Sequence, residues 1–161
     1  MTANRMTVLA VLAVLACALL LAGIVVSKAQ ISDSQQVAAS QVTMTDVDNA
    51  LQKGPVFIEF ETKECGYCKQ QHPISQQLAD EYTGKVTFFF VDAQENRDLA
   101  KAFQVTGVPQ MDIIAGKSGG KYTYVNSDAT TSDSIGSSKI VGLTQKDTLK
   151  PALDAAVHTR G

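Results

Sequence analysis

Cys65 and Cys68 stand two residues apart, separated by Gly66 and Tyr67. The chain passes there from an apolar run, Val56-Phe57-Ile58-Glu59-Phe60, to a helix-like segment, Lys69-Gln70-Gln71-His72-Pro73. Two cysteines at this spacing on a strand-to-helix turn can close a small disulfide and reopen it by exchange. The attacking species is the thiolate, and a helix N-terminus favours it at the first cysteine through exposed N–H groups and the helix dipole. The placement therefore implies redox chemistry more than structure. A bare C-x-x-C is also compatible with a static disulfide or with half of a zinc site. Structural zinc takes four ligands. Only Cys65, Cys68 and His72 lie close together in the chain, the other histidine is His158 near the C-terminus, and there is no second C-x-x-C, so no metal is expected.

The elements around the pair follow from periodicity and turn residues. Thr45-x-x-Asp48 resembles a capping box opening a short helix through Leu51, which Gly54-Pro55 ends. Val56 to Glu61 has the apolar, β-branched and aromatic content of a buried strand. The C-G-Y-C turn opens a helix to about Tyr82 that contains Pro73, a residue expected to kink it. Val86 to Val91 is a second buried strand with three consecutive phenylalanines, a core feature that implies no cofactor. Asn96 to Phe103 is a helix with Leu99, Ala100 and Phe103 on one face. Met111 to Ala115 and Tyr122 to Val125 are predicted strands joined by a turn at Gly116 to Gly120. Residues 126–139, rich in Ser, Thr and Asp with one Ile, are predicted to be an exposed loop, and Asp112 is expected to be exposed on its strand. Ile140 to Leu143 reads as a short strand or connector. Thr144 is predicted to cap a last helix carrying Leu149, Leu153 and Val157. The order is β-α-β-α-β-α-β-β-α with a weak first strand. Strand–helix–strand units on both sides of the cysteines imply an α/β domain, a central sheet with helices on its faces.

Ahead of this domain, Val8 to Val26 is a run of 19 apolar residues preceded by Arg5. That length just crosses a bilayer core of about 30 Å as a helix, and the charge bias places the N-terminus in the cytoplasm. A signal peptide cleaved after Ser27-Lys28-Ala29 is the alternative. The run exceeds the usual signal core, so a retained anchor over residues 1–28 is favoured. Both readings export the domain. Cys17 lies within the run and reads as a small apolar residue. Residues 29–41, rich in Ser, Gln and Ala, read as a polar linker, and residues 42–161 as one folded domain with an insertion at 126–139. Fourteen basic and sixteen acidic residues leave a net charge of −2 with no basic stripe, so nucleic acid is an unexpected partner.

The domain resembles the thioredoxin superfamily from about Val42 to Val157. The resemblance rests on several features together: the strand Val56 to Phe60 with an acid six positions before Cys65; Cys65-Gly66-Tyr67-Cys68-Lys69 with Pro73 five residues after Cys68; Val91-Asp92 followed by Asn96 and the helix Leu99-Ala100-x-x-Phe103-x-Val105; Gly107-Val108-Pro109; and Val141-Gly142-Leu143 before the final helix. It implies a thioredoxin fold, a central mixed sheet flanked by helices, preceded here by the transmembrane or signal helix. It implies that Cys65 attacks a partner disulfide and Cys68 resolves the mixed disulfide. Pro109 would be a cis-proline facing the cysteines, with the Val108 backbone, Gly66 and Tyr67 meeting an extended substrate segment. Glu59 would be a buried acid taking the proton of Cys68, a task that requires a pKa raised by burial.

The chain departs from the cytosolic thioredoxin pattern at four places. Glu64 stands before the first cysteine and Glu61 at the strand end, both usual sites of Trp. Tyr67 replaces Pro between the cysteines, and C-G-Y-C is similar to the active sites of bacterial periplasmic disulfide isomerases. Gln110 replaces the Thr that commonly follows the cis-proline. Acids near Cys65 disfavour its thiolate, whereas Lys63 and the helix terminus oppose them. His72, four residues after Cys68, is expected to be a surface or packing histidine. The reading is an exported thiol–disulfide oxidoreductase without cofactor, a reductase of protein disulfides recycled by a membrane or soluble redox partner. The alternatives are a disulfide oxidase or isomerase, and a non-catalytic peptide-binding module of the same fold.

Overall fold

The computed structural model describes residues 41–160. The apolar run 8–26 and linker residues 29–40 lie outside the described residues. Among the described residues no helix is long and apolar enough to cross a membrane.

The described chain opens with helix α1, Met44–Lys53, not with the weak strand expected. Its capping box is Thr43 and Asp46: the Thr43 hydroxyl accepts from the Asp46 N–H at 3.2 Å, and the Asp46 carboxylate accepts from the Thr43 N–H at 2.8 Å. The sequence holds two overlapping T-x-x-D patterns. The earlier one wins because it turns Val47, Ala50 and Leu51 inward. The Asp48 of the expected box instead accepts from Lys117 Nζ at 2.9 Å and from the Tyr122 hydroxyl at 2.7 Å.

Strand β1, Val56–Glu61, leads into helix α2, Gly66–Glu81, which continues through Pro73. Next come β2, Thr87–Asp92; α3, Arg97–Ala102; β3, Gln110–Ser118; and β4, Lys121–Val125. Beyond them are β5, Thr131–Ser132; a 3-10 turn, Ile135–Ser137; β6, Ile140–Val141; and α4, Lys146–Thr159. The sheet order is β2-β1-β3-β4-β5, with β6 also pairing β3. β1 is parallel to β2 and antiparallel to β3, so the strand feeding the C-G-Y-C turn has neighbours on both edges.

Alternation along these strands divides the core into two layers. One face carries Ile58, Phe60, Val91 and Ile114 against Val47 and Leu51 of α1 and Leu99 of α3. The other carries Phe57, Phe88, Met111 and Ile113 against Leu78 of α2 and Leu149 and Leu153 of α4. Covered on both faces, β1 over Val56–Phe60 and β3 over Gln110–Ala115 are buried at every consecutive position.

Two connections differ from the sequence prediction. The segment 126–139 is partly ordered into the domain. Asn126 Oδ1 accepts from the N–H groups of Asp128 and Thr130, β5 pairs with Tyr124 and Val125, and Ile135 is buried in the α1/α3 layer. Ile135, the one large apolar residue of this polar segment, anchors it in the core. Gln145, not Thr144, takes the N-cap position of α4. The Thr144 hydroxyl donates back to the Gly142 carbonyl, and its N–H donates to Gln71 Oε1 of α2 at 2.7 Å.

Candidate active site

The end of β1 delivers the chain to Cys65, which is the N-cap of α2. Its Sγ accepts from the Cys68 N–H at 3.0 Å, so the sulfur satisfies one of the helix's orphan donors. Cys65 and Cys68 form a disulfide with Cα atoms 5.2 Å apart. The two ends of that bond differ in access. Cys65 is half-buried at the mouth of the turn, whereas Cys68 is 2% exposed beneath it. Gly66 and Tyr67 face solvent, Tyr67 at 64% exposure.

β3 brings the second part of the site. The Val108–Pro109 peptide is cis, and the Val108 carbonyl oxygen lies 3.6 Å from Cys65 Sγ. Pro109 is buried and Val108 half-buried. The Gly142 N–H donates to the Pro109 carbonyl at 2.8 Å, and Gly142 holds a φ of +92°, a conformation glycine adopts without a Cβ penalty. Val141 beside it is 53% exposed. The structure thus brings Cys65, Cys68, Gly66, Tyr67, Val108 and Pro109 to one place.

Glu59 lies below the surface on the α2-facing side of β1, fully buried. Neither of its carboxyl oxygens has a hydrogen-bond partner among the described residues. Burial pushes its pKa up to about 8, and the neighbouring Glu61 charge pushes the same way, while the Ser75 hydroxyl of α2 works against both. Two residues along the same face, Glu61 Oε2 lies 3.0 Å from His72 Nδ1, and the His72 ring packs on Phe90 with centroids 4.7 Å apart. His72 is therefore a packing histidine, as expected, but it also has a carboxylate partner that the sequence reading missed. The i, i+2 spacing of Glu59 and Glu61 on a strand was the available signal. The polar heads of Glu59, Glu61 and His72 lie within 4.8 Å of one another. Three donors are one short of a structural zinc site, and His72 and Glu61 already satisfy each other.

Charged residues flank Cys65 in the chain. Lys63 is engaged by Glu95 at 2.5 Å, and Glu64 is exposed. On the opposite face of the sheet, Asp112 corrects an expectation: it is 1% exposed, not solvent-facing. The reason is that β3 is an interior strand with cores on both sides, so alternation does not deliver a wet face. Asp112 Oδ2 accepts from Gln110 Nε2 at 2.9 Å, and Oδ1 lacks a partner among the described residues. Burial pushes its pKa up to about 7, against Gln110 and the Lys139 charge. Gln110 Nε2 also donates to the Phe103 carbonyl at 3.1 Å.

The thioredoxin family model matches residues 33–152. A thioredoxin of Staphylococcus saprophyticus is 32% identical over 78 residues, 48% of this chain and 75% of that relative. Thioredoxin 1 of Chlorobaculum tepidum is 39% identical over 62 residues, 38% of this chain and 61% of that one. Among solved structures, a thioredoxin variant from Halobacterium salinarum superposes with a TM-score of 0.54 at 26% identity, covering 74% of this chain and 88% of that chain. The oxidised mitochondrial thioredoxin 3 of Saccharomyces cerevisiae does so with a TM-score of 0.53 at 24% identity, covering 73% and 94%. An accessible sulfur on a helix N-cap, a buried partner sulfur and an opposed cis-proline are thus found in a chain that matches these proteins in sequence and in fold; it belongs to the thioredoxin family and is a thiol–disulfide oxidoreductase.

Proposed function

We propose that the protein reduces disulfides of proteins outside the cytoplasm, held at the membrane through residues 8–26 and recharged by a membrane or soluble redox partner. Cys65 attacks the substrate disulfide, forming a mixed disulfide and releasing one substrate thiolate. Cys68 then gives its proton to Glu59 and attacks Cys65 Sγ, forming the Cys65–Cys68 bond and releasing the second thiolate. Gly66, Tyr67, Val108 and Pro109 form the surface on which an extended substrate segment lies. The half-buried position of Cys65 against the Val108 carbonyl, with Cys68 shut beneath it, supports this assignment of attacker and resolver.

The direction rests on charge. With Lys63 engaged by Glu95 and with Glu64 next to Cys65 in the chain, acidic charge opposes the favour that the helix N-terminus gives a thiolate there. A less stable thiolate means a less stable reduced form, which lowers the reduction potential and makes the dithiol a better donor. Equilibration of the full chain with dithiothreitol or glutathione tests this. A potential near about −270 mV agrees with a reductase, and one above about −200 mV overturns it in favour of oxidase or isomerase work. Cys65→Ser should abolish reduction of insulin disulfides. If the variant keeps its biological role, the protein is a peptide-binding module instead. The intact mass of the isolated protein separates an anchor from a signal peptide cleaved after Ala29.

A further inference from the structure

The resolving step leaves a proton on a carboxyl that has no surface open to bulk solvent. We infer that Glu61 and His72 form the relay by which Glu59 exchanges its proton with solvent. This rests on the role proposed for Glu59 and names the groups that complete it.

The geometry carries the inference. Glu59 is fully buried, and neither of its oxygens is held by the protein among the described residues. Its polar head lies within 4.8 Å of both the Glu61 carboxylate and the His72 ring nitrogen. No direct hydrogen bond joins Glu59 to either group, and one water, with two bonds of about 2.8 Å, spans a gap of this size. The Glu61–His72 pair itself is closed at 3.0 Å. The side chains of Glu61 and His72 are 23% and 37% exposed, so exposure rises stepwise from Glu59 outward. The order of elements enforces this path. Glu59 and Glu61 share a face of β1, α2 carries His72 above that face, and Phe90, register partner of Glu59 on β2, supports the imidazole ring.

Among the described residues, the groups that strand register and α2 place beside Glu59 offer no competing route. On this face, Glu59 meets Glu61 on its own strand, and α2 contributes buried Cys68 and Ser75 together with His72. β2 and β3 place Phe90 and Met111 beside it in register, neither of which titrates. A buried carboxyl with a raised pKa releases its proton slowly to bulk solvent it cannot reach, and a base one bridging water away removes that limit.

The proton balance is closed. As Cys68 Sγ attacks Cys65 Sγ, its proton passes to the Glu59 carboxylate, the S–S bond forms and the substrate thiolate leaves. Before the next resolving step, Glu59 passes that proton through the bridging water to the Glu61–His72 pair, which releases it to solvent. The relay carries no electrons.

The test uses the full chain, in stopped-flow measurements of Cys65–Cys68 closure after attack on a disulfide probe, in weak buffer near pH 7. His72→Gln and Glu61→Gln should each slow closure roughly ten-fold while leaving the initial attack by Cys65 unchanged. Added imidazole should restore the rate, because a mobile base replaces the missing one. With Glu59→Gln in place, His72→Gln and imidazole should have no further effect. Closure at the parental rate in both variants overturns the relay, and so does a loss that imidazole does not restore. If the parent protein itself failed to exchange disulfides, the functional reading would fail first, and the two failures are distinguishable.

Discussion

Glu59 and Asp112 are two acids buried in one sheet, on adjacent strands and on opposite faces. The β1–β3 register shows the opposition directly: Glu59 pairs with Met111, and Asp112 pairs with Ile58. Each has at least one carboxyl oxygen without a partner among the described residues, and burial raises both pKa values, to about 8 and about 7. Their surroundings diverge. Glu59 sits under the helix that carries the cysteines, near a second carboxylate and an imidazole that lead outward. Asp112 sits under the α1/α3 layer, held by Gln110 and faced by Lys139 from the end of the insertion. On the function proposed above, similar desolvation serves a working acid on one side and a structural one on the other. What differs is the nearby cysteine pair and the proposed path to solvent, not the direction of the pKa shift.

The sharpest way to break this contrast is kinetic. Glu59→Gln should slow closure of the Cys65–Cys68 disulfide at pH 7 by on the order of a hundred-fold, and Asp112→Asn should leave it unchanged. Equal effects in rapid-mixing measurements would show that the two acids are not functionally distinct.

Stability against pH should then unite what kinetics separates. Each acid keeps its proton to higher pH when folded than when unfolded. The folded state therefore binds more protons from the ordinary carboxylate range up to pH 7 or 8, and stability falls as pH rises through that window. The full loss is on the order of 4–5 kcal/mol for each group. Urea unfolding of the oxidised protein across pH 4 to 9 should show this decline, with Glu59→Gln and Asp112→Asn each removing part of it.

The coverings of the two faces give a third comparison. Ile135 anchors the insertion in the Asp112 layer, and Ile135→Ala should cost about 2–4 kcal/mol in the same assay. Tyr67→Ala on the cysteine side removes an exposed ring and should stay within about 0.5 kcal/mol. Thr43→Ala, which opens the capping box of α1, lies between these two and should cost about 1 kcal/mol.

The site was more legible in the sequence than the packing around it. Cys65, Cys68, Glu59 and Pro109 are set by local spacing and by strands whose type is plain from composition. Asp112 was misplaced because a polar residue in an otherwise apolar strand signals an outward side only when one face is wet, and β3 has none. The insertion looked exposed because its composition is polar, yet one isoleucine and two strand residues bind it to the sheet. Thr144 looked like a cap, but its N–H is held by Gln71 across the gap to α2, a contact 73 residues distant in sequence. The Glu61–His72 pair depends in the same way on how α2 lies over β1, which no local pattern records.

Cys65 is at once the exposed sulfur and the cap of its own helix. Chemistry and local folding are therefore thermodynamically reciprocal at this residue. Whatever free energy the helix end contributes to a negative sulfur, the negative sulfur returns as added stability of the first turn of α2. A side-chain cap is worth about 1 kcal/mol, so each passage between disulfide, thiolate and mixed disulfide changes how firmly that turn is held. The first turn of α2 is in this sense a reporter of redox state, and amide exchange at Cys68 should follow the oxidation of the pair.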